Sequence, residues 1–143
     1  LIEAVDWVNV LALTSDRQVV LLRQYRPGID HVCLEIPGGL VDPGEDPMQA
    51  ALRELREETG YGGGTWQHLG KVAPNPAIQN NWLHTIFVSD VEKLADPKPE
   101  GDEILDVFTV PLTELRERLV RGEVEHALVV VAFGHLAFRH HLP

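Results

Sequence analysis

The sequence lacks the features of secreted, membrane and nucleic-acid-binding proteins. Cys33 is the one cysteine among 143 residues, so an intrachain disulfide is excluded and a reducing compartment is allowed. No apolar run is long enough to span a bilayer, and no signal-peptide pattern is present. Basic residues are few, since 12 Lys and Arg stand against 22 Asp and Glu and give a formal charge of −10. We therefore expect a cytoplasmic protein that binds neither nucleic acid nor a membrane.

The length and composition are those of an ordinary globular domain. Hydrophobic residues make up 44% of the chain, and 143 residues are enough to bury a substantial core. We find no internal repeat, low-complexity tract or linker, so residues 1–143 are expected to form a single domain. The chain begins at Leu1 rather than at methionine, which is compatible with a further segment before residue 1.

Periodicity predicts a mixture of strands and helices. Runs of β-branched and large apolar residues indicate strands at residues 4–14, 17–25, 31–35, 66–73, 82–89 and 104–110, of which the first two form a hairpin around Ser15-Asp16. Helical patterns cover Pro47 to Thr59 and Pro111 to Arg121. Residues 126–140 fit a strand by their valines and a buried helix by their length. This mixture predicts a central mixed sheet covered on both faces.

The helix from Pro47 to Thr59 has clear start and stop signals. Asp46 is a favourable N-cap, proline suits the first helical position, and Gly60 is typical of a left-handed helix end. One stripe of this helix is apolar and should face the core; its residues are Met48, Ala51, Leu52 and Leu55.

The neighbouring flank of the same helix carries Glu54, Glu57 and Glu58. Like charges at these spacings cost roughly 0.2–0.5 kcal/mol per pair, and carboxylates in the last turn oppose the helix dipole. A hard divalent cation such as Mg²⁺ would reverse this cost, because it takes oxygen ligands and is commonly held by carboxylates together with substrate phosphates. Arg53, four residues before Glu57, can brace that carboxylate. A solvated acidic face is the alternative for a generic run of this kind.

The spacing of this stretch resembles the Nudix box, the pattern G-x5-E-x7-R-E-U-x-E-E-x-G-U. The matching residues are Gly39, Glu45, Arg53, Glu54, Leu55, Glu57, Glu58, Gly60 and Tyr61, of which only Tyr61 departs by being aromatic. The resemblance implies an α/β/α sandwich with a central mixed sheet, and favours a helix at residues 126–140. It also implies a metal-dependent enzyme, using Mg²⁺ with Mn²⁺ as a possible substitute, that cleaves a diphosphate linked to another moiety.

The resemblance further implies roles for the matching residues. Glu54 and Glu58 would be the main metal ligands, the Gly38 carbonyl oxygen would complete the metal shell, and Glu57 would be a further ligand or the catalytic base. Glu45 and Arg53 would organise the loop and the helix.

In related ADP-ribose hydrolases the water-activating carboxylate can instead come from a mobile loop. Here the candidates for that base are Glu100 and Glu103, and the alternative is an exposed acidic loop without a catalytic role.

The segment around the box is similar to that of ADP-ribose pyrophosphatases. The run Arg23-Gln24-Tyr25-Arg26 precedes LEIPGG, and Pro76 lies 76 − 60 = 16 residues after Gly60. This similarity implies a nucleoside diphosphate sugar as the substrate. Arg23 or Arg26 could fork onto a phosphate, and Glu35 could accept a hydroxyl or amino hydrogen. Members of this subgroup often form homodimers through a segment that would precede Leu1.

Several residues near this pattern have two interpretations. Gln79, Asn80 and Asn81 could read the edge of a base or close a turn, and we favour the turn. His84 and His126, in apolar surroundings, are expected in the core or behind the ligands rather than in catalysis. The three tryptophans, Trp7, Trp66 and Trp82, are expected to fill the core.

Two other functions fit the same fold. One is a nucleoside triphosphate pyrophosphohydrolase, which differs in the linkage it attacks. The other is a non-catalytic nucleotide-binding module, which is disfavoured because such modules typically lose box glutamates and all three are present here.

Overall fold

The computed structural model of the protein describes residues 1–101 and 104–140, without the side chain of residue 140, as eight strands and three helices. In chain order these are β1 (Trp7–Thr14), β2 (Gln18–Arg26), β3 (His31–Glu35), β4 (Gly38–Leu40), α1 (Pro47–Thr59), β5 (Tyr61–Gly62), β6 (Thr65–Val72), β7 (Leu83–Lys93), β8 (Asp106–Pro111), α2 (Leu112–Val120) and α3 (Ala127–His140). None of the helices in these ranges is long and apolar enough to cross a membrane.

The strands form one mixed sheet around β1. Its main path runs β3-β2-β1-β7-β5, while β4 pairs with β1, β6 with β7, and β8 with β2. The long pairing of β1 with β7 is parallel, and the other pairings are antiparallel. The expected hairpin of β1 and β2 is present, with Leu13 opposite Val19. The expected mixed sheet is confirmed.

Alternate residues of β1 enter two separate cores on the two faces of the sheet. Val8 and Val10 pack with Leu55 of α1 on one face. On the other face Leu11 belongs to a core that also contains Leu115 of α2 and Phe133 of α3. Because successive strand side chains point to opposite faces, β1 contributes to both cores. The layers are those of an α/β/α sandwich, as expected.

Both ends of α1 lie where the sequence predicts them. The Asp46 side chain accepts a hydrogen bond from the Met48 N–H at 2.8 Å, and Pro47 is the first helical residue. Gly60 has φ +75° and donates its N–H to the Arg56 carbonyl at 2.9 Å. The boundaries of α1 therefore follow from local capping chemistry alone.

Two segments differ from the sequence prediction or resolve its ambiguity. The run Pro37-Gly38-Gly39 is typical of a strand break that starts a loop, but Gly38–Leu40 is strand β4, with Val8 of β1 opposite Gly39. Glycine has a low strand propensity, and here pairing with a buried strand overrides it. The ambiguous segment near the C-terminus is the helix Ala127–His140, as the resemblance implied.

The end of α1 gives a stability prediction. An added Cβ at Gly60 would overlap the Ala95 backbone carbonyl, and the φ of +75° is unfavourable for any L-residue. We expect Gly60→Ala to lower the free energy of unfolding by more than about 2 kcal/mol, measured by urea unfolding. Gly44→Ala is the matched control, because Gly44 has φ +81° but no neighbouring atom within 4 Å of its Cβ position. Equal losses in the two variants would contradict a role for the Ala95 contact.

Candidate active site

A hydrogen bond joins the last turn of α1 to β4. Glu58 is 6% exposed, and its Oε2 accepts the Gly38 N–H at 2.9 Å. A buried carboxylate needs such donors, because desolvating a charge without hydrogen bonds is strongly unfavourable. The bond fixes one box carboxylate beside the Gly38 backbone.

The other box carboxylate near this strand is Glu54, one turn earlier in α1. Its carboxylate lies against the Cα of Gly39, in the space that a Cβ would fill. A Cβ on Gly38 would overlap the Val8 carbonyl oxygen. A side chain at position 38 would clash with β1, and one at position 39 would clash with the acidic face of α1, so both positions require glycine.

Arg53 links three parts of the site. Its Nε and Nη2 donate to Glu45 at 3.1 and 2.9 Å, and Nη2 also donates to the Leu40 carbonyl at 3.0 Å. Its Nη1 donates to Glu54 at 2.9 Å. The brace to Glu57 expected from the sequence is a longer ion pair of 3.6 Å. The guanidinium therefore connects the loop before α1, the end of β4 and the acidic face.

The ionisation of this cluster follows from its hydrogen bonds. The Arg53 guanidinium lowers the pKa of the Glu45 carboxyl below its ordinary value, and the N–H of Asp42, which donates to Glu45 at 3.0 Å, adds to that effect. Hydrogen bonding to Glu45, and to a smaller extent the charge of Glu54, raises the pKa of Arg53. Both groups are therefore held in their charged forms.

The donor atoms at this face suit a hard divalent cation. Within residues 1–101 and 104–140, no three His, Cys, Asp or Glu side chains are grouped so that they could hold a metal ion. The side-chain donors at the face are nevertheless all carboxylate oxygens, from Glu54, Glu57 and Glu58. Oxygen donors of this kind fit Mg²⁺, which keeps several waters and takes further ligands from substrate phosphates.

A cavity of about 550 Å³ opens beside this face. Glu58, Gly38 and Gly39 line it, as do Arg26, Glu35 and His126. Trp7, Leu83 and Leu128 add an apolar wall. Asn9 of β1 lies opposite Gly38 of β4, and Trp7 of β1 lies opposite Leu40 of β4. Trp7 is therefore two residues before the β1 residue that pairs with Gly38.

Arg26 and Glu35 occupy the cavity as a pair. The Arg26 Nε and Nη2 donate to the two Glu35 oxygens at 2.7 and 2.6 Å. Glu35 is buried, whereas the Arg26 side chain is 42% exposed. The bond to Glu35 raises the pKa of Arg26. The sequence suggested separate substrate contacts for these residues, but in this structure each is the other's partner.

Other residues proposed from the sequence lie away from this cavity. Arg23 forms a 3.1 Å ion pair with Asp106 and stacks over the Phe108 ring. Pro76 is exposed in the loop between β6 and β7, and Glu100 is exposed after β7. Glu103 lies outside the described residues. Neither Arg23, Pro76 nor Glu100 lines the cavity formed by the described part of the chain.

The amides after Pro76 hold the N-terminal segment. The Asn81 Nδ2 donates to the Val5 carbonyl at 3.1 Å, and the Asn80 Oδ1 accepts the Ala4 N–H at 3.2 Å. Asn81 is buried. Asn80 and Asn81 therefore tie this loop to the N-terminal segment, which differs from the turn closure favoured from the sequence.

The sequence predicts that Trp7 and Trp66 lie in the core and that His126 lies in the core or behind the ligands. Trp66 packs against the core on the α1 face, as expected. Trp7 instead lines the cavity, and so does His126, just before α3. The cavity forms where β1, β4 and the start of α3 meet, and the sequence gives no local signal for such long-range contacts.

Comparison with known proteins adds family information. The family model described as "NUDIX domain" matches residues 5–130. An ADP-sugar pyrophosphatase of Mus musculus is 36% identical over 96% of the chain, and an ADP-ribose pyrophosphatase of Saccharomyces cerevisiae is 34% identical over 82%. The chain spans 67% and 55% of these two relatives' lengths. A solved structure titled as an ADP compounds hydrolase superposes with a TM-score of 0.83 at 26% identity, covering 93% of this chain and 71% of that one.

The Arg53–Glu45 pair gives a prediction about pH. Because the pKa of Glu45 is lower in the folded than in the unfolded protein, its stabilising contribution is complete above the unfolded pKa of about 4.5 and disappears as pH falls through the folded pKa. Urea unfolding from pH 7 to pH 2 should show Glu45→Gln less stable than the parent at pH 7, with the difference shrinking in acid. The exposed Glu3→Gln is the control and should follow the parent curve. A difference for Glu45→Gln that is constant with pH would contradict this assignment.

Proposed function

Since the chain belongs to the Nudix family of hydrolases, we propose that it hydrolyses the diphosphate linkage of an ADP-ribose-like nucleoside diphosphate sugar, giving a nucleoside monophosphate and a sugar phosphate. The observation that carries this proposal is the position of the box helix, whose Glu58 is bonded to Gly38 at the wall of a cavity of about 550 Å³. The names of the mouse and yeast relatives support the choice of substrate.

Nudix hydrolases generally depend on a divalent metal, and we propose Mg²⁺, with Mn²⁺ able to replace it. We assign the Gly38 carbonyl, Glu54 and Glu58 as the main ligands and Glu57 as a further one. The metal ion would neutralise phosphate charge and lower the pKa of a water molecule.

The protein's own contribution is to hold these oxygens in place. The Gly38 N–H holds the Glu58 carboxylate through a hydrogen bond, and the Arg53 guanidinium holds the Glu54 carboxylate through another. Because the restraints exist before substrate binds, less side-chain entropy is lost when the site is used. Arg53 and Glu45 act through these carboxylates and do not contact the substrate in this account.

The base that removes the proton from the attacking water must lie within hydrogen-bond reach of it. The Glu57 side chain at the acidic face is 38% exposed, so water can reach it. Glu100 and Glu103 are the alternative bases, provided by the segment between β7 and β8. Glu100 is exposed, and it would have to approach the cavity when substrate binds.

The cavity offers separate surfaces to the parts of the substrate. The Arg26 guanidinium, with Glu35 behind it, supplies positive charge for a phosphate and a carboxylate for a hydroxyl or amino group. The wall of Trp7, Leu83 and Leu128 suits a planar or apolar ring face. Arg23 and Pro76 would contact only those parts of the substrate that extend beyond this cavity.

We also propose that residues 1–143 form one Nudix domain and that the protein is a homodimer. Ile2 and Ile78 are both about half exposed, and the Ile2 N–H donates to the Ile78 carbonyl at 2.7 Å. Val5 is also exposed in the same segment. Exposed apolar side chains that lie together support a surface covered by a second copy.

The activity is tested with purified protein and a panel of ADP-ribose, other nucleoside diphosphate sugars and nucleoside triphosphates, with Mg²⁺ or with excess chelator. We expect ADP-ribose to give AMP and ribose 5-phosphate only when the metal is present, detected by chromatography. Release of pyrophosphate from triphosphates alone would replace our substrate with the house-cleaning alternative. Binding of ADP-ribose without cleavage under any divalent metal would support a non-catalytic module.

The assignment of Glu58 as a metal ligand gives a further prediction. We expect Glu58→Gln to lower kcat by roughly 10³-fold or more, because an amide is a poor ligand for a hard cation. The amide oxygen can still accept the Gly38 N–H, and one like charge is removed from the face, so the unfolding free energy should be unchanged or slightly higher. The exposed Glu92→Gln serves as the control for activity. An active Glu58→Gln enzyme would contradict the metal assignment.

A further inference from the structure

His126 lies at the start of α3 and lines the same cavity as Glu58, Arg26 and Glu35. Its Nδ1 is 3.2 Å from the Leu128 backbone nitrogen, which donates its N–H to the ring. The imidazole thus serves as the N-terminal cap of this 14-residue helix. The sequence alone suggested a histidine in the core or behind the ligands, whereas in the structure His126 caps α3 and lines the cavity.

The cap determines where the imidazole proton lies. A ring nitrogen that accepts a hydrogen bond cannot carry a hydrogen, so neutral His126 is protonated at Nε2. Protonating Nδ1 as well would break the bond to Leu128. The ring is therefore a hydrogen-bond donor through Nε2 and is not an acceptor there.

The segment that carries His126 is held on both sides. Asn9 of β1, which lies opposite Gly38, donates its Nδ2 to the Leu128 carbonyl at 3.0 Å. On the other side, the Glu125 carboxylate lies 3.0 Å from Nε2 of His31, the residue opposite Arg26 on β3. The residues on either side of His126 are therefore held by β1 and β3. A donor fixed in this way needs no rearrangement when an acceptor enters the cavity.

Resting on the proposed function, we propose that His126 is a substrate-binding residue whose Nε2–H donates to a phosphate oxygen of the diphosphate. A phosphate oxygen only accepts hydrogen bonds, which matches a group that only donates. The N-terminal end of α3 carries partial positive charge, and the Arg26 guanidinium lines the same cavity. Both favour an anionic acceptor over a neutral sugar hydroxyl. The effect of His126 is on binding, and the box carboxylates retain the chemistry.

The test must separate this contact from the cap. Serine is a good N-cap but cannot reach into the cavity, so His126→Ser retains the cap and removes the donor. We expect its free energy of unfolding to match that of the parent. The Kd for α,β-methylene ADP-ribose, a non-hydrolysable analogue, should rise ~10–100-fold with Mg²⁺ present, as expected for losing a hydrogen bond to a charged group. With ADP-ribose itself, KM should rise by a similar factor while kcat changes little.

Two controls accompany this variant. His126→Ala removes the cap as well as the donor, so it should be less stable than His126→Ser but bind the analogue equally poorly. His68→Ser removes a histidine that bonds His84 outside the cavity and should leave the Kd unchanged. Inorganic pyrophosphate, which has no sugar, should lose inhibitory strength in His126→Ser by a factor similar to that of the analogue.

Nitrogen-15 NMR of labelled histidine gives a readout that a purely structural role would not change. Free His126 should show the Nε2–H tautomer, and its Hε2 resonance should move downfield when the analogue binds. A parent protein that neither binds the analogue nor cleaves ADP-ribose would remove the proposed function and this inference together. If the parent binds and His126→Ser binds equally well, or if pyrophosphate inhibition is unaffected, only the inference about His126 is overturned.

Discussion

The bond from the Gly38 N–H to the Glu58 carboxylate joins β4 to α1, and the geometry of the candidate site depends on it. It places the buried Glu58 carboxylate next to the Gly38 backbone. The parallel pairing of β1 with β7 and the pairing of β4 with β1 fix the strand that provides Gly38. The helix caps at Asp46 and Gly60 then set which turn of α1 faces that strand.

The acidic face of α1 would destabilise an isolated helix, because neighbouring carboxylates repel one another. In the folded protein Arg53 contacts Glu54 and Glu45, and it also reaches the Leu40 carbonyl. The guanidinium offsets part of the repulsion and connects the face to the loop before the helix. In the proposed function a divalent cation would offset the remaining negative charge of the carboxylates together with that of the bound diphosphate. We infer that the proposed metal site accounts for this locally destabilising feature.

The sequence predicts local structure well where the signals are local. The limits of α1 follow from Asp46, Pro47 and Gly60, and the fixed spacing of the box identifies the family. Strand β4 could not be predicted because glycine favours turns, and only its pairing with β1 makes it a strand. The strand hairpin of β2 and β3 brings Arg26 to Glu35, and no local pattern reveals that the two are bonded. Likewise, Trp7 and His126 look like core residues until β1 and α3 are brought together.

Crystallography can show whether the box carboxylates and the Gly38 backbone form one metal site beside the substrate cavity, as we propose. Crystals grown with Mn²⁺ and α,β-methylene ADP-ribose would locate the metal through its anomalous scattering. We expect a peak within about 2.0–2.3 Å of the Gly38 carbonyl oxygen and of oxygens of Glu54 and Glu58, with the diphosphate completing the shell. Metal and diphosphate bound elsewhere, with the Gly38–Glu58 pair making no contact to either, would contradict it.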